Sequence, residues 1–221
     1  MADFAEARDM VMALKNKYWT DGLYSYKGIQ KRVCFHSREI RGRKDAFNPD
    51  IIDYKSFVAD LSQLMAAIPM CIYASHIDKE RHVNQYIHPI EPYDLCMTFV
   101  LERILRDLPV NQNCVIILES RGAKEDRAVL DFIKGLIDNG TRFHPASHFS
   151  RIKGVYFNPK WCKAADDRMS YWELELADLC AYPIQKFFVY GTMDLAFQVI
   201  LPKLSHYPDH MGKGLKSFPI T

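Results

Sequence analysis

Apolar side chains recur at the spacing of one helical face in six segments of the chain. The stripe of Phe4, Ala7, Val11, Leu14 and Tyr18 predicts the first helix. Similar stripes predict helices over residues 54–68, 92–109, 129–137, 172–190 and 194–204. Pro69 and Gly140 follow the second and fourth stripes, and these residue types commonly end helices.

Short apolar runs between these segments predict strands at residues 33–36, 70–74, 114–118 and 153–157. The run at 114–118 is apolar without alternation, which is typical of a strand covered on both faces. Strands that alternate with helices indicate an α/β fold with a largely parallel sheet. We find no low-complexity linker and no repeat, so we expect one domain over residues 1–221.

The composition is that of a globular protein. The chain has 221 residues, of which 48% are hydrophobic and 25% are charged, with a net charge of +2. No apolar run approaches the ~20 residues that a membrane span needs, and the first residues are acidic rather than basic. We therefore expect a cytoplasmic protein with no membrane partner. Its six cysteines form no close pair, so we expect free, reduced thiols, most of them buried.

Two acidic residues are candidates for chemistry. Glu119 follows the most apolar strand directly, and reactive residues in α/β folds gather beyond strand ends. Asp178 shares a helical face with small and apolar residues, and we expect Ala177 and Ala181 to let that face approach the sheet closely. Plainer interpretations remain open for both. Glu119 could pair with Arg121 on the surface, and Asp178 could cap a broken helix or bond a backbone amide near Pro183.

A cluster of positive charge lies at residues 27–44. Seven lysines and arginines stand there against one acid, so the segment carries +6 in a chain of net +2. Such a segment can neutralise nucleic-acid phosphates, and neighbouring aromatic residues can stack on bases. An ordinary solvated basic loop is the alternative. The cations that we expect to contact nucleic acid are Lys31, Arg32, Arg41, Arg43 and Lys44.

Five short motifs in order resemble the domain of unknown function 3800 family of bacteria and phages. The resemblance covers nearly the whole chain, and each motif is weak alone. The motifs are His36-Ser37-Arg38-Glu39-Ile40, Pro92-Tyr93 with Leu101-Glu102-Arg103, Glu119-Ser120-Arg121, Leu176-Ala177-Asp178-Leu179 with Ala181-Tyr182-Pro183-Ile184, and Gly212-Lys213-Gly214-Leu215-Lys216 with Phe218-Pro219.

The resemblance implies a ribonuclease-H-like mixed sheet flanked by helices and a metal-dependent nuclease. Glu119 and Asp178 match the family's acids, so they would bind Mg²⁺ or Mn²⁺ and take part in phosphodiester hydrolysis. His36, Arg38 and Glu39 match a polar motif that we assign to substrate binding. Arg38 or Arg121 would hold the scissile phosphate, and Glu175 would support the metal ligands.

The chain departs from the family pattern at its start. The family opens with a strand that carries an acidic D-E-S-G motif, whereas no Asp-Glu pair occurs in this sequence. We therefore expect a sheet that lacks its first strands, with an edge that a homodimer or a partner chain would cover. The alternatives to a nuclease are a catalytically inactive nucleic-acid-binding or accessory module, or a truncated gene product.

Overall fold

Helices and short strands alternate along the chain, as the apolar spacing predicts. The computed structural model describes residues 2–159 and 171–219. The α-helices are α1 Ala2–Tyr18, α2 Ser37–Gly42, α3 Tyr54–Ala67, α4 Lys79–Gln85, α5 Pro92–Asp107, α6 Ala123–Asn139, α7 Ala146–Phe149, α8 Trp172–Tyr190 and α9 Leu195–Ile200. The strands are β1 Leu23–Tyr26, β2 Ile29–Arg32, β3 Ala74–Ile77, β4 Cys114–Glu119, β5 Ile152–Asn158 and β6 Leu215–Phe218.

The chain divides into two compact units. The first unit combines Met1–Met70 with Pro159–Leu201, and the second combines Cys71–Asn158 with Pro202–Thr221. Each unit therefore closes around parts of the chain that are far apart in sequence. Both contain helices beside small sheets, so the α/β class is confirmed, and a ribonuclease-H-like strand order stays a prediction.

An aromatic cluster forms much of the interior of the first unit. The ring of Trp19 lies 5.3 Å from that of Phe57 and 5.6 Å from that of Phe47, and Phe35 lies 5.8 Å from Phe57. These four side chains are nearly fully buried. They join α1, α3 and the segments between them. Because aromatic side chains bury large apolar areas, this cluster stabilises the unit strongly.

The second unit holds two separate parallel strand pairs. Strand β3 pairs with β6, and β4 pairs with β5. One face of the β4–β5 pair packs on a cluster from α5, α6 and α7, which includes Leu101, Leu105, Ile133 and Phe149. At the entrance to β6, a Cβ on Gly214 would lie 2.2 Å from the Ser205 carbonyl oxygen, so only glycine allows this approach of two backbones.

Two strand predictions need correction. Residues 33–36 are irregular rather than a strand. Their apolar side chains are buried, as in Val33 and Phe35, but the Phe35 amide bonds a side chain of α8 instead of a neighbouring strand. The third strand begins at Ala74 rather than at residue 70. Sequence analysis also missed the β1–β2 hairpin and β6, whose short polar strands give little period-two signal.

The apolar run of β4 is less covered than expected. Val115 is 55% exposed and Tyr156 of β5 is 56% exposed, so one face of this pair is largely open to solvent.

The cysteine prediction is also only partly right. The described cysteines form no disulfide bond with one another, but Cys71 is exposed, and Cys162 lies outside the described residues.

Asp107, at the end of α5, is a hydrogen-bonding centre of the second unit. Its carboxylate accepts bonds from Arg106 at 2.7 Å, Tyr73 at 3.0 Å and Ser205 at 3.1 Å, and His206 Nε2 lies 3.0 Å away. The Arg106 bond, helped by Tyr73 and Ser205, holds the pKa of the Asp107 carboxyl well below its usual range, against an opposing effect of burial. Serine and histidine bond the same carboxylate oxygen, an arrangement that ties segments together rather than activating a nucleophile.

Replacing this carboxylate should destabilise the protein in a pH-dependent way. We expect Asp107→Asn to lower the free energy of unfolding at pH 7 by about 1–3 kcal/mol, because it removes charge-assisted hydrogen bonds. Since the folded-state pKa is lowered, this stabilisation is present above the ordinary aspartate pKa of about 3.9 and declines as the pH falls below it. The difference between wild type and variant should therefore shrink in acid.

Urea unfolding between pH 3 and pH 7 measures this difference. Asp138→Asn, at an exposed aspartate of α6, is the control and should change stability by less than about 0.5 kcal/mol. A pH-independent effect of Asp107→Asn would contradict the assignment of a lowered pKa.

Candidate functional site

Two carboxylates on successive turns of α8 bond the chain segment that leads into α2. Glu175 is fully buried, and its Oε1 lies 2.7 Å from Lys15 Nζ of α1. Its Oε2 accepts the backbone amide of Phe35 at 2.7 Å. A buried carboxylate needs both a cation and hydrogen-bond donors, and Glu175 has both. Its role in this structure is to tie α1 and residues 33–36 to α8.

Asp178 performs a related task one turn later. Its Oδ2 accepts the backbone amide of Ser37 at 2.7 Å, where α2 begins. The side chain is half-buried. Asp178 thus bonds a backbone amide, but this amide is that of Ser37 and not one near Pro183, where the plainer interpretation of the sequence put it. The same bond brings Asp178 next to the segment that carries His36, Arg38 and Glu39.

The expected approach of α8 to a sheet is wrong. Ala177 and Ala181 are exposed, and α8 packs against α2 and α9 instead. The carboxylate of Asp178 points to α2 because the Ser37 amide at that helix's start needs an acceptor. Sequence spacing identified the residue but not the element that it meets.

The basic segment is a folded part of the first unit rather than a loose loop. Turn residues Lys27 and Gly28, both with positive φ, join β1 to β2 in a hairpin that carries Lys31 and Arg32. The Lys31 ammonium lies 4.2 Å from the ring centre of Tyr26. Such cation–π contacts hold a charge in place without neutralising it.

The remaining cations surround α2. The guanidinium of Arg41 lies 3.4 Å from the ring centre of Tyr182 on α8, and that of Arg43 lies 5.0 Å from the ring centre of Tyr54. Arg38, Arg41, Arg43 and Lys44 are all exposed. The structure therefore gathers Asp178, the polar motif and all five predicted nucleic-acid-binding cations in one unit.

Glu119 and Arg121 lie in the second unit, where β4 leads into α6. Glu119 is exposed at the end of the strand. The Arg121 guanidinium lies 5.5 Å from the ring centre of Tyr93. The turn is held by Asp126, which accepts the Ser120 hydroxyl at 2.5 Å and the Arg121 amide at 2.8 Å. These bonds, the Ser120 hydroxyl first, lower the pKa of the Asp126 carboxyl.

The sequence motifs did not identify Asp126. Its position in the first turn of α6, shortly after Ser120-Arg121-Gly122, is the signal that could have identified it, since acids are favoured at helix starts. It positions the loop that carries Arg121. Its carboxylate is committed to those two bonds and contributes to the shape of the strand end.

A shared metal site of Glu119 and Asp178 stays a prediction. The two residues belong to different compact units. Among residues 2–159 and 171–219 there is no group of three or more histidine, cysteine, aspartate or glutamate side chains arranged to hold a metal ion. The donors themselves suit Mg²⁺ or Mn²⁺, which prefer carboxylate oxygen. Two carboxylates supply less charge than three, so we expect weak binding.

Comparisons with protein-family models, with curated proteins and with solved structures found no match. The resemblance to the domain of unknown function 3800 family therefore stays a prediction. Within the part of the chain that is described, no helix has the length and apolar character required to cross a bilayer.

The structural role of the buried Lys15–Glu175 pair can be tested by measuring how much stability the protein loses when the pair is broken. We expect Lys15→Met to lower the free energy of unfolding by about 3–5 kcal/mol, because it leaves the Glu175 carboxylate buried without a cation. Adding Glu175→Gln should recover part of the loss, since the amide oxygen still accepts the Phe35 amide and carries no charge.

Lys17→Met is the matched control in urea unfolding. Lys17 also pairs with an acid, Asp60, but its side chain is 60% exposed, so its loss should cost only about 0–1 kcal/mol. Equal effects of the two lysine substitutions would contradict the structural role assigned to the buried pair.

Proposed function

We propose that this protein binds nucleic acid and hydrolyses phosphodiester bonds with a divalent metal ion, Mg²⁺ or Mn²⁺. The observation that supports this most is the position of Asp178, which is bonded to the start of α2 beside exposed cations of the same segment. An acid next to a positively charged surface is what cleavage of a polyanion requires. A cytoplasmic location, which the sequence predicts, suits such a substrate.

In this proposal Glu119 and Asp178 supply the metal ligands. A bound divalent ion would polarise the phosphodiester and lower the pKa of a water molecule. Arg38, which is exposed on α2, or Arg121, beside Tyr93, neutralises a phosphate oxygen. His36 precedes α2, and Glu39 lies on it, so in this proposal both would assist a phosphate held by Arg38.

The exposed cations of α2 and the following turn position the polymer. Arg38, Arg41, Arg43 and Lys44 provide charge without a base-specific geometry, so they suit phosphate contacts. Arg41 stacks on Tyr182 of α8, which links this surface to the helix that carries Asp178. Binding should therefore be sensitive to salt and tolerant of sequence.

A catalytically inactive nucleic-acid-binding or accessory module is the second candidate. It is favoured by the lack, among the described residues, of a group of three metal-ligating side chains. The existing bond of Asp178 to the Ser37 amide also accounts for this acid without any metal. This candidate predicts salt-dependent binding and no cleavage.

A cleavage assay with Mn²⁺ and end-labelled single- and double-stranded DNA and RNA separates the two candidates. We expect Asp178→Asn and Glu119→Gln each to reduce cleavage beyond the about 10–100-fold loss that is typical of residues supporting a metal ligand. The asparagine oxygen can still accept the Ser37 amide, so Asp178→Asn should leave the thermal unfolding midpoint nearly unchanged.

Two further variants make this assay selective. Glu125→Gln, at an exposed acid in the first turn of α6, should leave cleavage unchanged. Asp178→Ala should lower both cleavage and thermal stability, since it removes the acceptor as well as the charge. Cleavage that persists in both Asp178→Asn and Glu119→Gln refutes the proposed ligands, and binding without any cleavage supports the second candidate.

The basic surface predicts a specific change in salt dependence. We expect a double change of Arg38→Gln and Lys44→Gln to reduce the slope of log K against log salt by about 0.7–0.9 for each phosphate that the variant no longer neutralises. Fluorescence anisotropy with a labelled oligonucleotide measures this slope. The matched control is Lys124→Gln with Lys134→Gln, two exposed lysines of α6, and an equal reduction there would contradict the assigned surface.

A further inference from the structure

Strands β3 and β4 of the second unit each have one edge that bonds no strand of the described residues. In β4, the amides of Cys114 and Ser120 bond carbonyls on the β5 side. Because bonding alternates along a parallel strand, the amides of Val115 and Ile117 face the opposite edge. In β3, the amide of Ala74 bonds Gly214 beside β6, so the amides of residues 75 and 77 face away from β6.

These two free edges line one groove. Its described lining comprises Ser75 of β3, residues 114–118 of β4 and side chains of α5. The groove has a volume of about 400 Å³. This is far more than the roughly 30 Å³ share of one water molecule, so it is not a packing defect. Helix α5 spans both strand pairs and forms the groove's wall.

The groove is lined by uncharged and mostly apolar side chains, as the buried face of a sheet is. The α5 side chains that line it are Tyr93, Cys96, Met97, Val100, Leu101 and Ile104, and every described lining residue is uncharged. The hydroxyl of Ser75 is buried and has no hydrogen-bond partner among the described residues. A buried donor and acceptor without a partner is costly, so this hydroxyl needs one from an incoming group.

We propose that this groove accepts a single extended β-strand of about five residues from a separate polypeptide. The strand would bond the free edges of β3 and β4 and join the two pairs into one sheet. Backbone bonding supplies the affinity in this mode of recognition, and alternate side chains supply the specificity. The proposal does not depend on nuclease activity.

The uncharged lining limits the occupant. A lysine or aspartate placed in the groove would lose its hydration without gaining a charged partner, which disfavours a charged strand strongly. The matching partner is therefore an uncharged strand with apolar residues at alternate positions. Val115 and Tyr156, which are exposed on the open face of β4–β5, extend the apolar surface beside it.

A second copy of this chain is a poorer occupant. Every described strand already bonds a neighbour, in the pairs β1–β2, β3–β6 and β4–β5. The groove has β3 on one side and β4 on the other, so a strand must enter alone. A strand of a second copy would first have to leave its own partner.

Amide hydrogen exchange followed by NMR tests the proposal on the full chain. Without any peptide, the amides of Val115 and Ile117 should exchange at least about tenfold faster than those of Ile116 and Leu118, which face β5. The probe is a capped seven-residue peptide of alternating threonine and valine. At saturation it should slow Val115 and Ile117 by about tenfold and leave Ile116 and Leu118 unchanged.

The controls change the peptide and the groove separately. The same peptide with every amide N-methylated cannot donate to either strand edge and should have no effect. Val100→Phe fills the wall of the groove and should abolish the peptide's effect. Val110→Phe, at a residue that is 87% exposed outside the groove, is the matched control and should preserve it.

Three results would overturn the proposal. Slow exchange of Val115 and Ile117 in dilute, peptide-free protein would mean that the edge is already paired. Protection that grows with protein concentration together with dimer formation in sedimentation would identify a second copy as the occupant. Failure of the wild-type protein to show any slowing with the peptide would exclude strand addition, whether or not Val100→Phe folds.

Discussion

The first unit depends on satisfying one fully buried carboxylate. Glu175 is separated from Lys15 by 160 residues, yet their charged atoms lie 2.7 Å apart with almost no exposure to solvent. The Phe35 amide satisfies the second oxygen of Glu175. Because neither charge can remain buried alone, α1, residues 33–36 and α8 have to meet at this point. That constraint places Asp178, one turn further along α8, beside the start of α2.

This arrangement fixes the position of the candidate site residues on α8. It also explains Glu175 and Asp178 as residues that hold the fold together. Asp178 holds the Ser37 amide, and Arg41 stacks on Tyr182, so the late helix and the basic segment are joined by two different contacts. The cations of α2 and the following turn stay exposed, whereas the fold uses Glu175 and Asp178 of α8. The proposed binding of a polyanion would therefore need no further rearrangement of this unit, and the proposed metal-dependent chemistry would require ligands beyond Asp178.

In the second unit, the main constraint is the hydrogen bonding of backbone groups at strand edges rather than the burial of a charge. Strand edges must bond something, and buried polar groups without partners are rare in folded proteins. Here β3 and β4 each present one edge to an uncharged groove, with the Ser75 hydroxyl buried beside it. Asp107 ties the ends of the same elements together through Tyr73, Arg106 and Ser205. Among the described residues, the unit is thus firmly connected around a groove that β3 and β4 line.

The sequence by itself determined the long helices, the strands at 114–118 and 153–157, the α/β class and the two acids that merit testing. These features follow from local periodicity, from prolines and glycines at helix ends, and from unusual residues beside apolar runs. Only the tertiary structure decided that Glu175 pairs with Lys15, that Asp178 meets α2 and that β3 and β4 do not bond each other. These features depend on parts of the chain that are distant in sequence. The sequence pattern can indicate that a buried charged or polar group needs a partner, but it does not identify that partner.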